Sequence, residues 1–149
     1  MANWCEGTLK IRGQWEDVLR FFREGVDSDS AYDGVRIYDH DSDYVDLHIA
    51  GEPWVKGSRR AFIGPDEDLY IDKDGEQIVF CPMRQAWSIK IADWEQISKR
   101  YNIDIRIHAF ERGMEFEQEV EVIRGMTTID EYRCYDNWDW ECPMPGLGG

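Results

Sequence analysis

The chain has 149 residues, 13% of them aromatic, and 31 Asp and Glu against 17 Lys and Arg leave a net charge of −14. Aromatic content of that order excludes an acidic disordered segment, and a surface of that sign repels phosphate backbones while steering basic proteins toward it. No run approaches the ~20 apolar residues of a transmembrane helix. The opening residues lack the basic and apolar regions of a secretory signal. Four dispersed cysteines with no Cys-x-x-Cys pair suit a reducing compartment. The expectation is one cytoplasmic domain over residues 1–149, with its cysteines as free thiols and no membrane contact.

Along the chain, Leu9 and Ile11 alternate with Thr8, Lys10 and Arg12, the period of a half-buried strand. After it, Trp15, Val18, Leu19 and Phe22 recur at helical spacing, and Gly25 supplies a stop signal at the C′ position. Short strands are expected at Val35–Tyr38, Tyr44–Ile49 and Ala61–Ile63. Leu69–Ile71 and Gln77–Cys81 flank Asp72-Lys73-Asp74-Gly75, which has the composition of a hairpin turn. Trp87, Ile91, Trp94, Ile97 and Tyr101 outline the apolar face of a second helix, which Asn102 can cap. Ile103, Ile105, Ile107 and Ala109 then alternate with polar residues, and Gly113 leads into a second alternating run, Phe116–Val122, so an antiparallel hairpin is predicted. The tail, 136–149, carries Pro143, Pro145 and a Gly-rich end and reads as irregular and frayed. The predicted core is Leu9, Ile11, Val18, Phe22, Trp94, Ile97, Ile105 and Ile107.

Charge is segregated on this plan. Residues 1–26 and 77–110, which hold both helices, are nearly balanced, whereas 27–76 carry fourteen acids and five bases and 111–149 carry ten acids and three bases.

Asn3-Trp4-Cys5-Glu6-Gly7-Thr8-Leu9-Lys10-Ile11-Arg12-Gly13 resembles the N-W-C-x-N-x-L-x-[VI]-x-G opening of the YubB-type ferredoxin-like proteins of phages and plasmids. Ala86-Trp87-Ser88 and Glu111-Arg112-Gly113-Met114-Glu115-Phe116 are similar to that family's A-W-S and E-x-G-x-x-F strings. The resemblance spans about 3–25 and 77–123. It departs at Gly7, where Asn is usual, and at Ser88-Ile89, which replaces S-P-P. It implies an α+β fold with a ferredoxin-like antiparallel sheet and two helices on one face. To this are added an acidic insertion of short strands at 27–76 and the irregular tail. It also implies a mobile-element origin, and so a bacterial host cytoplasm. It carries no catalytic residue.

Asp39, Asp41, Asp43 and Asp46 begin like a calcium loop, but Tyr44 and Ala50 stand where such a loop needs Gly and Glu, and Glu52 comes two residues late. A solvated acidic loop and a partner-binding surface remain as readings of this segment. Cys134, Cys142 and His108 are the one set to check for zinc, while Cys5 and Cys81 read as small buried hydrophobes. Tyr32, Tyr38, Tyr44 and Phe110 could form an RNA-stacking face, which the charge opposes. Near the C-terminus Trp138, Asp139, Trp140 and Glu141 interleave aromatics with acids, a composition suited to arginine-rich partners, although the two Trp can equally fold back over a sheet edge. The chain carries no nucleotide-binding, hydrolase or metalloprotease motif. The expectation is therefore a non-enzymatic protein without cofactor. Through Asp39, Asp41, Asp43, Asp46, Glu52 and the Trp138–Glu141 motif it would engage and inhibit a basic nucleic-acid-binding host protein, as anti-CRISPR and other anti-defence proteins do. A carboxylate-dependent metal enzyme acting on nucleic acid and a structural or regulatory module are the alternatives.

Overall fold

The computed structural model describes residues 2–41 and 43–149. It is an α+β fold of two antiparallel sheets and three short helices. The larger sheet begins with β1 (Trp4–Gln14), which runs into α1 (Trp15–Glu24) and then β2 (Val26–Asp27). β3 (Gly34–His40), β4 (Tyr44–Ala50) and β7 (Glu67–Asp72) form the smaller sheet in the order β3-β4-β7. β5 (Trp54–Val55), β6 (Ala61–Ile63), β8 (Glu76–Ala86), α2 (Ile91–Tyr101), β9 (Asp104–Glu111), β10 (Phe116–Ile123), β11 (Met126–Cys134) and α3 (Trp138–Glu141) follow. The eight strands of the larger sheet lie in the order β11-β10-β9-β1-β8-β6-β5-β2.

Alternation along β1 explains which face is which. Leu9 and Ile11 point to the side covered by the helices, where they join Val18 and Phe22 of α1, Trp94 and Ile97 of α2, and Ile105 and Ile107 of β9 in one buried cluster. All eight residues of the expected core are buried. The same cluster takes in Val45, Leu47, Ile49 and Ile71 of the smaller sheet, so both sheets share it. Trp94 is anchored by polar contacts as well as by packing: the buried Gln85 Oε1 accepts from Trp94 Nε1 at 3.1 Å and from the Lys90 N–H at 3.3 Å, and Gln85 Nε2 donates to the Arg59 carbonyl at 2.9 Å.

Several expectations need correction. Leu69–Ile71 and Gln77–Cys81 do not pair; the turn between them has Gly75 at φ +65 as its composition requires, but it joins the two sheets. Trp87 precedes α2, at φ +70, with its N–H donating to the Asn3 carbonyl at 2.8 Å. Gly25 does end α1 as expected, at φ −93. What it provides is space: a Cβ there would lie 2.7 Å from the Phe21 carbonyl oxygen and 3.1 Å from the Tyr101 ring. Asn102 does cap α2 in the left-handed conformation, at φ 54.

The tail also differs from its expectation. Reversal through Arg124 and Gly125, at φ 48 and 80, starts β11, and α3 then folds back. Trp138, Tyr135 and Cys142 pack on Phe110 with Leu147 against them. The last residues are tied down, Gly149 N–H to the Trp4 carbonyl at 2.9 Å and Gly148 N–H to Glu6 Oε2 at 3.2 Å. Among the described residues no helix is long and apolar enough to cross a membrane.

Candidate partner-binding surfaces

The smaller sheet buries one face and exposes the other. Strand alternation sends Val45, Leu47 and Ile49 inward and leaves three cross-strand rows outside: Tyr38-Asp46-Tyr70, Arg36-His48-Asp68 and His40-Tyr44-Asp72. Rings stack across the outer rows, His40 on Tyr44 at 4.3 Å and Tyr44 on Tyr70 at 5.0 Å. Each histidine is held by a carboxylate, His40 Nε2 to Asp46 Oδ2 at 3.0 Å and His48 Nδ1 to Asp68 Oδ1 at 2.7 Å. A hydrogen bond to Asp72 keeps the Tyr70 phenol protonated and pushes its pKa up to about 12. The result is a surface of aromatic rings and carboxylates on which, among the described residues, Arg36 is the one permanently cationic side chain.

The four aspartates expected to act together do converge at this end of the protein, though with different surroundings. Asp46 lies on the outer face. Asp41 is at the tip of the β3–β4 turn at φ +57, and Asp43 closes that turn, its N–H donating to the His40 carbonyl. Asp39 is neutralised by Lys73, whose ammonium also donates to the Asp41 carbonyl. Its hydrogen bond holds the Asp39 carboxyl below the usual carboxylate range. Glu52 is not part of the group. It pairs with Arg84 at 2.6 Å, whose guanidinium lies 4.2 Å from the centre of the Trp4 ring on the open face of the larger sheet.

The C-terminal motif splits. Trp138 is buried, with Nε1 donating to the Pro145 carbonyl at 2.9 Å, and so holds the tail in place. Trp140 is 86% exposed, and Asp139 and Glu141 beside it are exposed on the four-residue α3. Cys142 belongs to the cluster around Phe110, whereas Cys134 is exposed; among the described residues no three His, Cys, Asp or Glu side chains converge as a metal-holding group. Of the four rings considered for stacking, Tyr32 and Tyr38 are exposed, Tyr44 is half-buried and Phe110 is buried.

The exposed apolar pair Ile78 and Phe80, each 63% accessible on the open face of β8, was not anticipated from the sequence. Their signal was present: Ile78-Val79-Phe80-Cys81 is apolar at four consecutive positions, and a strand packed on one side buries only alternate ones. His48, Asp68 and Tyr70 were also missed as one surface, because their adjacency comes from β4–β7 pairing between residues about twenty apart.

No family model, curated protein or solved structure matches the chain.

Proposed function

We propose that this protein is a non-enzymatic acidic binding protein that engages a basic, nucleic-acid-binding protein. The observation that carries this reading is the outer face of the smaller sheet, where Tyr38 and Tyr70 flank Asp46 in register and Asp68 and Asp72 lie alongside. Rings held in place beside carboxylates suit guanidinium groups: the ring faces attract the cation and the carboxylates accept its N–H groups. The exposed Trp140, between Asp139 and Glu141, offers the same chemistry a second time. The surrounding charge of −14 adds long-range steering toward a basic surface.

Two further observations bear on origin and inhibitory role. The order β9-β1-β8-β6, with α1 following β1 and α2 linking β8 to β9, supports a ferredoxin-like core. The three strings that resemble YubB-type proteins meet at one end of that core: Trp87 N–H donates to the Asn3 carbonyl, and Glu111 accepts from the Gly113 and Met114 N–H groups at 2.6 and 2.8 Å while Gly113 packs against Asn3. This favours a phage or plasmid protein, for which occupying the nucleic-acid site of a host defence protein is the natural form of inhibition. The test is affinity capture from bacterial lysate at low and high ionic strength. The expected result is a basic nucleic-acid-binding protein that is retained at low salt, released at high salt and lost with Tyr38→Ala/Tyr70→Ala. A captured protein that is acidic, or that persists at high salt and with the double variant, would contradict the reading.

A further inference from the structure

We propose that the cleft where β7 and β8 part is a strand-acceptor site, built to take an extended segment in which apolar residues alternate with basic ones. This rests on the basic-partner reading above and specifies how part of such a partner would be held. The two strands leave the Asp72–Glu76 turn side by side without a hydrogen-bonded ladder between them. Among the described residues, the only ladder partner of β7 is β4, and from Glu76 to Cys81 the only ladder partner of β8 is β1; β6 joins β8 at Met83–Gln85. Each strand therefore turns an edge of backbone donors and acceptors toward the cleft, the template an added strand requires.

The cleft has a volume of about 240 Å³, and its walls differ between the two faces of the sheet. On the inner side lie Leu69 and Val79, at the border of the shared core. On the outer side Tyr70 faces Ile78 and Phe80, large rings and chains left in solvent with nothing of this protein covering them among the described residues. An inserted strand points successive side chains to opposite faces. Its inward set would meet Leu69 and Val79 and must be apolar. Its outward set would pass between Tyr70 and Phe80, where a guanidinium or ammonium finds a ring on either side. Glu67 and Asp68 stand at the mouth of the cleft and Asp72 and Glu76 at its closed end. Against these four carboxylates stand two bases, Lys10 one strand beyond Phe80 and Arg12, which is shared between Asp104 at 2.8 Å and Glu76 at 3.8 Å. Charge complementarity thus selects a basic outward set.

Backbone hydrogen exchange of the full chain, with three capped decapeptides as probes, tests this. The first alternates Val with Arg and Lys, the second has the same composition with the Val and the basic residues in separate blocks, and the third alternates Val with Glu. The alternating basic peptide should slow exchange several-fold at Leu69–Ile71 and Ile78–Phe80, and Phe80→Ala with Tyr70→Ala should weaken its binding at least tenfold without unfolding the protein. The block peptide should bind more weakly and leave these amides unprotected, and the acidic one should not bind. Equal protection by the block peptide, or protection confined to β3 and β4, would overturn the cleft assignment while leaving the basic-partner reading standing. Failure of both basic peptides to bind would overturn both.

Discussion

Gln85 shows how one buried polar side chain can fix a local structure. It bonds Trp94 of α2, the Lys90 N–H that opens that helix, and the Arg59 carbonyl beside β6, so its loss strands three buried or half-buried groups at once. Gln85→Met should lower stability by about 1–3 kcal/mol, the cost of leaving such groups unpaired. Trp94→Ala should cost about 3–5 kcal/mol through the cavity it opens. Urea unfolding measures both, and unchanged midpoints would contradict these roles. The thiols give a pH prediction. Burial pushes Cys81 from the ordinary 9.0 up to about 12, so the folded state favours the protonated form. That contribution to stability is intact below about pH 9 and is lost as pH climbs toward 12. Wild type should therefore lose stability more steeply than Cys81→Val between pH 9 and 11, and parallel curves would contradict the assignment. At this scale much was legible, because Leu9, Ile11, Trp94 and Ile105 lie in strongly periodic runs. Gly7 was not: it departs from the YubB-type pattern, and the reason lies in three dimensions. A Cβ there would run into the His108 carbonyl oxygen of the neighbouring strand, so no Asn fits.

Among the elements, those with a clear period were found where expected, Trp87 ahead of α2 excepted, whereas the pairing of strands distant in sequence was not legible. The β9–β10 hairpin was legible from alternation on both sides of Gly113. The Asp72–Gly75 turn was legible too, but its local chemistry is the same whether the flanking strands pair or enter different sheets. What separates them is the prior claim of β4 on β7 and of β1 on β8, through residues distant in sequence. β11 was missed because it buries little and shows no apolar alternation, although Arg124-Gly125 between two extended runs is a hairpin signal. Gly125 adopts φ +80, and a Cβ there would strike the Lys99 side chain. Gly125→Ala should therefore destabilise the protein by about 1 kcal/mol or more. Amide exchange should rise first along β11, and a variant in which α2 opens before β11 would contradict this account of the edge.

For the whole molecule, the question is what the acidic excess does. Part of it is neutralised within the fold: Lys73 holds Asp39, Arg84 holds Glu52, Arg12 holds Asp104, and Arg106 holds Glu119 at 2.8 Å. A further share lies on the outer face and turns of the smaller sheet and around Trp140, and self-repulsion there is a cost to the compact state that a basic partner would relieve. The segregation was legible from counting charges along the chain, whereas the placement of tyrosines among the carboxylates required the strand register. The most direct measurement is the association rate of the captured basic protein as a function of ionic strength, for wild type and for a variant with Asp41, Asp43, Asp46 and Asp68 all changed to Asn. Steering acts mainly on the on-rate, so wild type should associate several-fold faster at low salt with a steep salt dependence, and the variant should be slower with a flatter one. Equal rates and equal salt slopes, with both proteins folded, would contradict the claim that the acidic face is a binding surface.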